Sequence, residues 1–128
     1  MIAEALIGAA AEAVIGYAMN AIDLSDRIRN QLLGEPVARS FRAALFRTVR
    51  DLETRYPEQV ATLFDESFMQ REAAPLLARL LTRHRQLTGE DLFNCWADSL
   101  ALNDARRDDS RRDVLPVATE FIQCLEIV

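Results

Sequence analysis

The 128-residue chain predicts an all-α fold, a compact bundle of about six helices with no strands. Three observations carry this. Apolar residues recur at three- and four-residue spacings along most of the chain, which places them on one side of successive helices. No segment alternates apolar and polar residues with β-branched enrichment, the pattern of a half-buried strand. Apolar residues make up 50% of the chain, enough to fill one core in a single domain of this length.

The first helix is expected from about Ala3 to about Ile22, inside a long apolar segment, residues 1–33, with a continuation through Leu33 as the alternative. It is apolar almost all round, as in a helix buried in a core or packed on a partner. Gly8, Glu12 and Gly16 share one strip beside Ala5 and Ala9. Small residues at this spacing let another helix approach closely, either as tight core packing or as an oligomerisation strip. The segment nears the length of a membrane span, but Glu4, Glu12, Asn20 and Asp23 interrupt it. A buried helix is therefore favoured over a membrane-active one. No basic region opens the chain as in a secretion signal. Asp23 or Ser25 suits the cap of a turn carrying Ile28, Leu32 and Leu33, which Gly34 and Pro36 stop.

The remaining bundle spans residues 36–128. A second helix, about Val37 to Tyr56, shows the clearest stripe: Phe41, Ala44, Leu45, Thr48, Val49, Leu52 and Tyr56. Arg39 and Arg50 fall on the opposite side, flanked by Arg42 and Arg47, and Phe46 lies among these arginines. An aromatic residue ringed by Arg has the composition of a contact surface. The alternative is that the first helix covers Phe46.

Tyr56-Pro57 ends that helix and opens a third, with Val60, Leu63, Phe64 and Phe68 on one face. Asp65 and Glu66 fall off this face. They read as solvated or paired with Arg55 or Arg71, since a catalytic carboxylate pair needs a shared, partly dry pocket. The fourth helix, about Ala73 to Arg85, has Pro75 in its first turn and Leu76, Leu77, Leu80 and Leu81 as its stripe. His84 suits the helix C-terminus, where the exposed carbonyls favour it. "TGED", Thr88 to Asp91, is a capping box with Asp in the usual Glu position. It opens a fifth helix bearing Leu92, Phe93, Trp96 and Leu100, with Trp96 as a core anchor. Residues 103–113, "NDARRDDSRRD", read as a solvated loop with local ion pairs. The last helix is expected from Asp113 or Val114, with Pro116 in its first turn and Val114, Ala118, Phe121, Ile122 and Leu125 inward. The apolar ending "CLEIV" reads as a domain excised from a longer protein, or as a terminus docked on its own core.

The chemistry that such a chain could hold is narrow. The formal charge of −5 disfavours general nucleic-acid binding, and interspersed Asp opposes a phosphate site at Arg106, Arg107, Arg111 and Arg112. All 15 basic residues are Arg, so no Walker-type lysine exists within the chain. Cys95 and Cys124 stand apart, without the paired short spacings of a zinc site, and suit a reducing cytoplasm as small core fillers. No catalytic, metal or cofactor-binding residue is assigned. A hydrolase pairing of either thiol with His84 would need an orienting group and an oxyanion site, and the sequence points to neither.

Several phrases together resemble a known family. "LLGEPVARSFRAAL" (32–45), "RYPEQVATLFDESFM" (55–69), "AAPLLARLLTR" (73–83), Trp96 and "ATEFIQCLE" (118–126) are similar to a helical region of bacterial STAND-type proteins. There, such a region lies N-terminal to a NACHT-like P-loop ATPase. The resemblance covers about residues 32–127 and rests on helix-core and turn residues. It implies an all-helical N-terminal module of a signalling or anti-phage defence protein, mediating association or linking the ATPase to an effector. With no downstream ATPase it implies a stand-alone adaptor. The expected function is non-enzymatic protein–protein interaction or self-association, through Arg39, Arg42, Phe46, Arg47 and Arg50 or through the Gly8–Glu12–Gly16 strip. A membrane-active first helix is the alternative, and a small enzyme centred on His84 and Cys95 ranks third.

Overall fold

The computed structural model describes residues 2–21, 35–82 and 87–126. Among them are six α-helices, one π-helical segment and no strand. The helices are α1 (Glu4–Ala21), α2 (Glu35–Arg55), α3 (Pro57–Leu63), α4 (Ala74–Thr82), α5 (Gly89–Ser99) and α6 (Asp104–Glu126), with the π segment (Phe68–Ala73) leading into α4. The expected cap at Asp23 or Ser25, the turn through Leu33 and the helix-terminal His84 lie outside the described residues.

One core runs through the bundle. α1 contributes Ile7, Ala10, Ala11, Val14, Ile15 and Ala18 to it and packs chiefly on α4. The face α4 presents is not the expected leucine stripe. Ala74, Leu77 and Ala78 are buried, whereas Leu76, Leu80 and Leu81 are half-buried. Alanine on both faces lets two helices approach closely, and that rotates the bulkier leucines to the flanks. The stripe of α2 is as expected: Phe41, Ala44, Leu45, Thr48, Val49 and Leu52 are buried, with Tyr56 at its edge.

The third element departs from the single helix expected through Phe68. α3 stops at Leu63, and Phe64 leaves helical geometry at φ −96° and ψ 52°. Asp65 then restarts the chain, its Oδ2 accepting from the Phe68 N–H at 3.2 Å. The break lets Phe64 and Phe68 both be buried. Phe64 meets Phe121 of α6 edge-on, with ring centroids 4.8 Å apart. Asp65 is thus a capping group, not the partner of Arg55 or Arg71. Pro75 follows just beyond the π segment. A proline ring clashes with the carbonyl one turn back, and a widened turn before it relieves that clash.

α5 begins with the expected capping box. The Asp91 N–H donates to Thr88 Oγ1 at 3.2 Å, and the Thr88 N–H donates to Asp91 Oδ2 at 3.0 Å. The helix ends in a Schellman arrangement, with Ala101 N–H to Asp98 O at 3.0 Å and Leu102 N–H to Ala97 O at 3.1 Å. Ala101 holds the left-handed position at φ 52°. Trp96 is buried as expected, but Leu100, at the end of the helix, is 55% exposed.

Residues 103–113 are not a loop. α6 is a 23-residue helix that starts at Asp104 and carries Pro116 in its interior. Asn103 caps it, its Oδ1 accepting from the Arg106 N–H at 2.9 Å. Two of its arginines bind α5: Arg107 reaches Asp98, and Arg111 forms two hydrogen bonds to Glu90, at 2.8 and 2.5 Å. The Arg111 guanidinium also lies 5.2 Å from the Phe93 ring centre. Interhelical pairing therefore orders a segment whose own apolar content is too low to do so.

Candidate functional site

α1 and α2 are tied at two points. The Ile2 N–H donates to Glu53 Oε2 at 2.8 Å, and Arg42 Nε donates to Glu12 Oε1 at 2.5 Å. Residue numbers rise along α1 as they fall along α2, so the helices run antiparallel. With equal rise per residue, Gly8 lies level with about Phe46, and Gly16 level with Ala38 and Arg39. The two residue sets proposed from sequence therefore form one continuous surface, joined at the Glu12–Arg42 pair.

This surface is open. Phe46 is 37% exposed, so α1 does not cover it. A Cβ built on Gly8 or Gly16 would meet nothing within 4 Å, so the glycine strip does not grip another helix of the core. The inward side of α1 sets Ile7, Val14 and Ile15 beside Ala10, Ala11 and Ala18, while Ala5, Gly8, Ala9 and Glu12 face out.

The arginines divide into two groups. Arg42 is engaged by Glu12, whose carboxyl is held below its ordinary range by that hydrogen bond. Arg50 pairs with Glu53 at 2.6 Å and places its guanidinium 5.1 Å from the Phe46 ring centre, over the ring face. Glu53, which sequence reasoning passed over, thus serves both Arg50 and Ile2; the i,i+3 spacing from Arg50 was its only signal. Arg39 and Arg47 are exposed and have no partner among the described residues. The result is an exposed ring with one cation stacked on it and, among the described residues, two unpartnered cations beside it.

A concavity lies elsewhere. A groove of about 580 Å³, open to solvent, is lined by Glu72 of the π segment, Leu76 of α4, and Asp91, Asn94, Cys95, Asp98 and Ser99 of α5. Cys95 Sγ contacts the Glu72 carbonyl at 3.4 Å. Burial, and then the nearby Glu72 and Asp98, push this thiol above its ordinary range, against a smaller opposing effect of Arg79. A thiol so placed is held in its protonated, less nucleophilic form. Asp65 and Glu66 line a separate open hollow with Ser67, Gln70 and Arg71. Asp65 is already committed to helix capping.

Arg107 and Arg111, considered for phosphate, are engaged by Asp98 and Glu90. Among the described residues no group of three or more His, Cys, Asp or Glu could hold a metal ion. Also among them, no helix is long and apolar enough to cross a membrane. No protein-family model, curated protein or solved structure matches the chain.

Proposed function

We propose that this domain is a non-enzymatic protein–protein interaction module of the cytoplasm, docking through the surface centred on Phe46. The observation that carries the reading is the exposed Phe46 ring stacked by Arg50, with Arg39 and Arg47 at its sides and without a partner among the described residues. Aromatic and arginine side chains together supply the anchors of protein interfaces, and free arginines favour an acidic partner surface. The outward strip of Ala5, Gly8 and Ala9 beside it gives a partner a low, flat area on which to rest. The similarity of residues 32–127 to the helical region of STAND-type proteins supports a setting beside a NACHT-type P-loop ATPase in signalling or anti-phage defence.

The test is site-specific photo-crosslinking in cells producing the full chain. Benzoylphenylalanine replaces Phe46 in one version and the exposed Gln123 in another. Crosslinked protein species at position 46, absent at 123 and lost on adding Arg39→Glu and Arg47→Glu, are expected. Equal crosslinking at both positions, or none at 46, overturns the reading.

A further inference from the structure

Resting on that reading, we infer that the partner of the Phe46 surface is a second copy of this chain, which receives it in the groove between the π segment and α5. The two surfaces are complementary in charge. One is a partly exposed aromatic ring flanked by Arg39 and Arg47, which have no partner among the described residues. The other is a concavity of about 580 Å³ with Leu76 and half-buried Cys95 in its lining and Glu72, Asp91 and Asp98 as its charged groups. Leu76 sits there because the alanine face of α4 turns toward α1.

The carboxylates are unequal. Asp91 is committed to the capping box and Asp98 to Arg107, while the exposed Glu72 side chain has no partner among the described residues. Glu72 is therefore the group an incoming Arg39 or Arg47 meets. Arg79, which has an interaction of its own, is the cation among the described residues that bears on the groove's thiol. Asn94 and Ser99 add neutral hydrogen-bonding capacity.

The Phe46 surface and the groove share no residue and no helix. A chain that uses one keeps the other available, so the contact is head-to-tail and extends into rings or open chains. It is a small contact by the standard of stable interfaces, so each link is weak, with a Kd of roughly 10 µM to 1 mM. Its charged component weakens as salt rises.

Sedimentation equilibrium of the full chain tests this, at protein concentrations up to about 1 mM, the weak end of that affinity range. The wild type is expected to show a weight-average mass that rises past that of a dimer and falls on adding salt. Phe46→Ala/Arg47→Ala, which removes the aromatic anchor and a cation, and Glu72→Arg/Asn94→Arg, which cancels the groove's acidic charge, should each be monomeric with unchanged helical circular dichroism. Mixed one to one, they retain a single good pairing and should stop at a dimer. A wild type that stays monomeric throughout overturns the inference, yet crosslinks from position 46 to other proteins would leave the interaction reading standing. Association lost in the Phe46 variant but kept in the Glu72 variant means face-to-face pairing, which also overturns it. Association kept in both variants overturns it as well.

Discussion

Arg42 Nε donates to Glu12 Oε1 at 2.5 Å across the seam between α1 and α2, where the two side chains remain 38% and 57% exposed. The bond closes the seam at the point where the arginine face meets the glycine strip. It also removes Arg42 from the cations available to a partner, which leaves Arg39 and Arg47 to that role.

That bond makes the seam sensitive to acid. Hydrogen bonding to Arg42 lowers the Glu12 carboxyl below its ordinary 4.5, outweighing slight desolvation. A carboxyl lowered in the folded state adds stability above its unfolded value and loses it as pH falls through the folded one. Because the pair is exposed, the contribution is under about 1 kcal/mol. Urea denaturation at neutral pH and near pH 3 should show a smaller acid loss for Glu12→Gln than for the wild type. Identical losses would mean that the tie adds nothing.

Gly89 is required by a close approach of backbones. A Cβ at this position would overlap the Thr119 Cα and lie 2.6 Å from the Thr119 nitrogen. Gly89→Ala should therefore destabilise by about 2–3 kcal/mol, as overpacking does. Because the Thr119 Cα and nitrogen obstruct it as well as the hydroxyl, adding Thr119→Ala should not restore stability. Thermal unfolding of the single and double variants checks both statements, and rescue by the second change would contradict them.

Ala101 occupies a position that suits glycine. Its φ of 52° places a Cβ where L-residues are strained, in an otherwise complete Schellman arrangement. Ala101→Gly should stabilise by about 0.5–1 kcal/mol once the greater freedom of the unfolded glycine is deducted. The measurement is again the unfolding midpoint, and a decrease would refute the expectation.

Cys95 should be a slow nucleophile. Burial and the neighbouring carboxylates raise its thiol above the ordinary 9.0. Alkylation by iodoacetamide at neutral pH, followed by mass spectrometry on a Cys124→Ser chain, should proceed more slowly than for N-acetylcysteine. The difference should narrow only at alkaline pH. Faster reaction than the free thiol would reinstate Cys95 as a reactive group.

Helix identity was legible where an unbroken helix carried its apolar stripe, although the stripe through Phe64 and Phe68 hid the break at Phe64. α2 shows this best, since six consecutive stripe positions from Phe41 to Leu52 are buried. The capping box at Thr88 was legible because its two groups lie three residues apart. Residues 103–113 misled because the apolar signal is missing: Arg107 and Arg111 order the first half of α6 by reaching Asp98 and Glu90 of another helix. The Schellman turn hid because Ala101 stands where glycine would announce a helix end. In the candidate site, Phe46 and its arginines were visible as one helix face. Their alignment with Gly8 was not, because it depends on the register that Glu12–Arg42 and Ile2–Glu53 impose. The groove at Glu72 escaped notice because its lining comes from three separate elements.

Pro116 has no amide hydrogen to give the Arg112 carbonyl, so the hydrogen-bond ladder of α6 is interrupted midway. C-terminal to that gap, Val117, Ala118, Phe121, Ile122 and Leu125 lock the helix into the interior. N-terminal to it, residues 104–113 are held mainly by side chains gripping α5. The rod therefore behaves as two mechanical units with different melting thresholds. Amide hydrogen exchange would first unzip the arginine-rich half, leaving the other half closed until the whole domain opens.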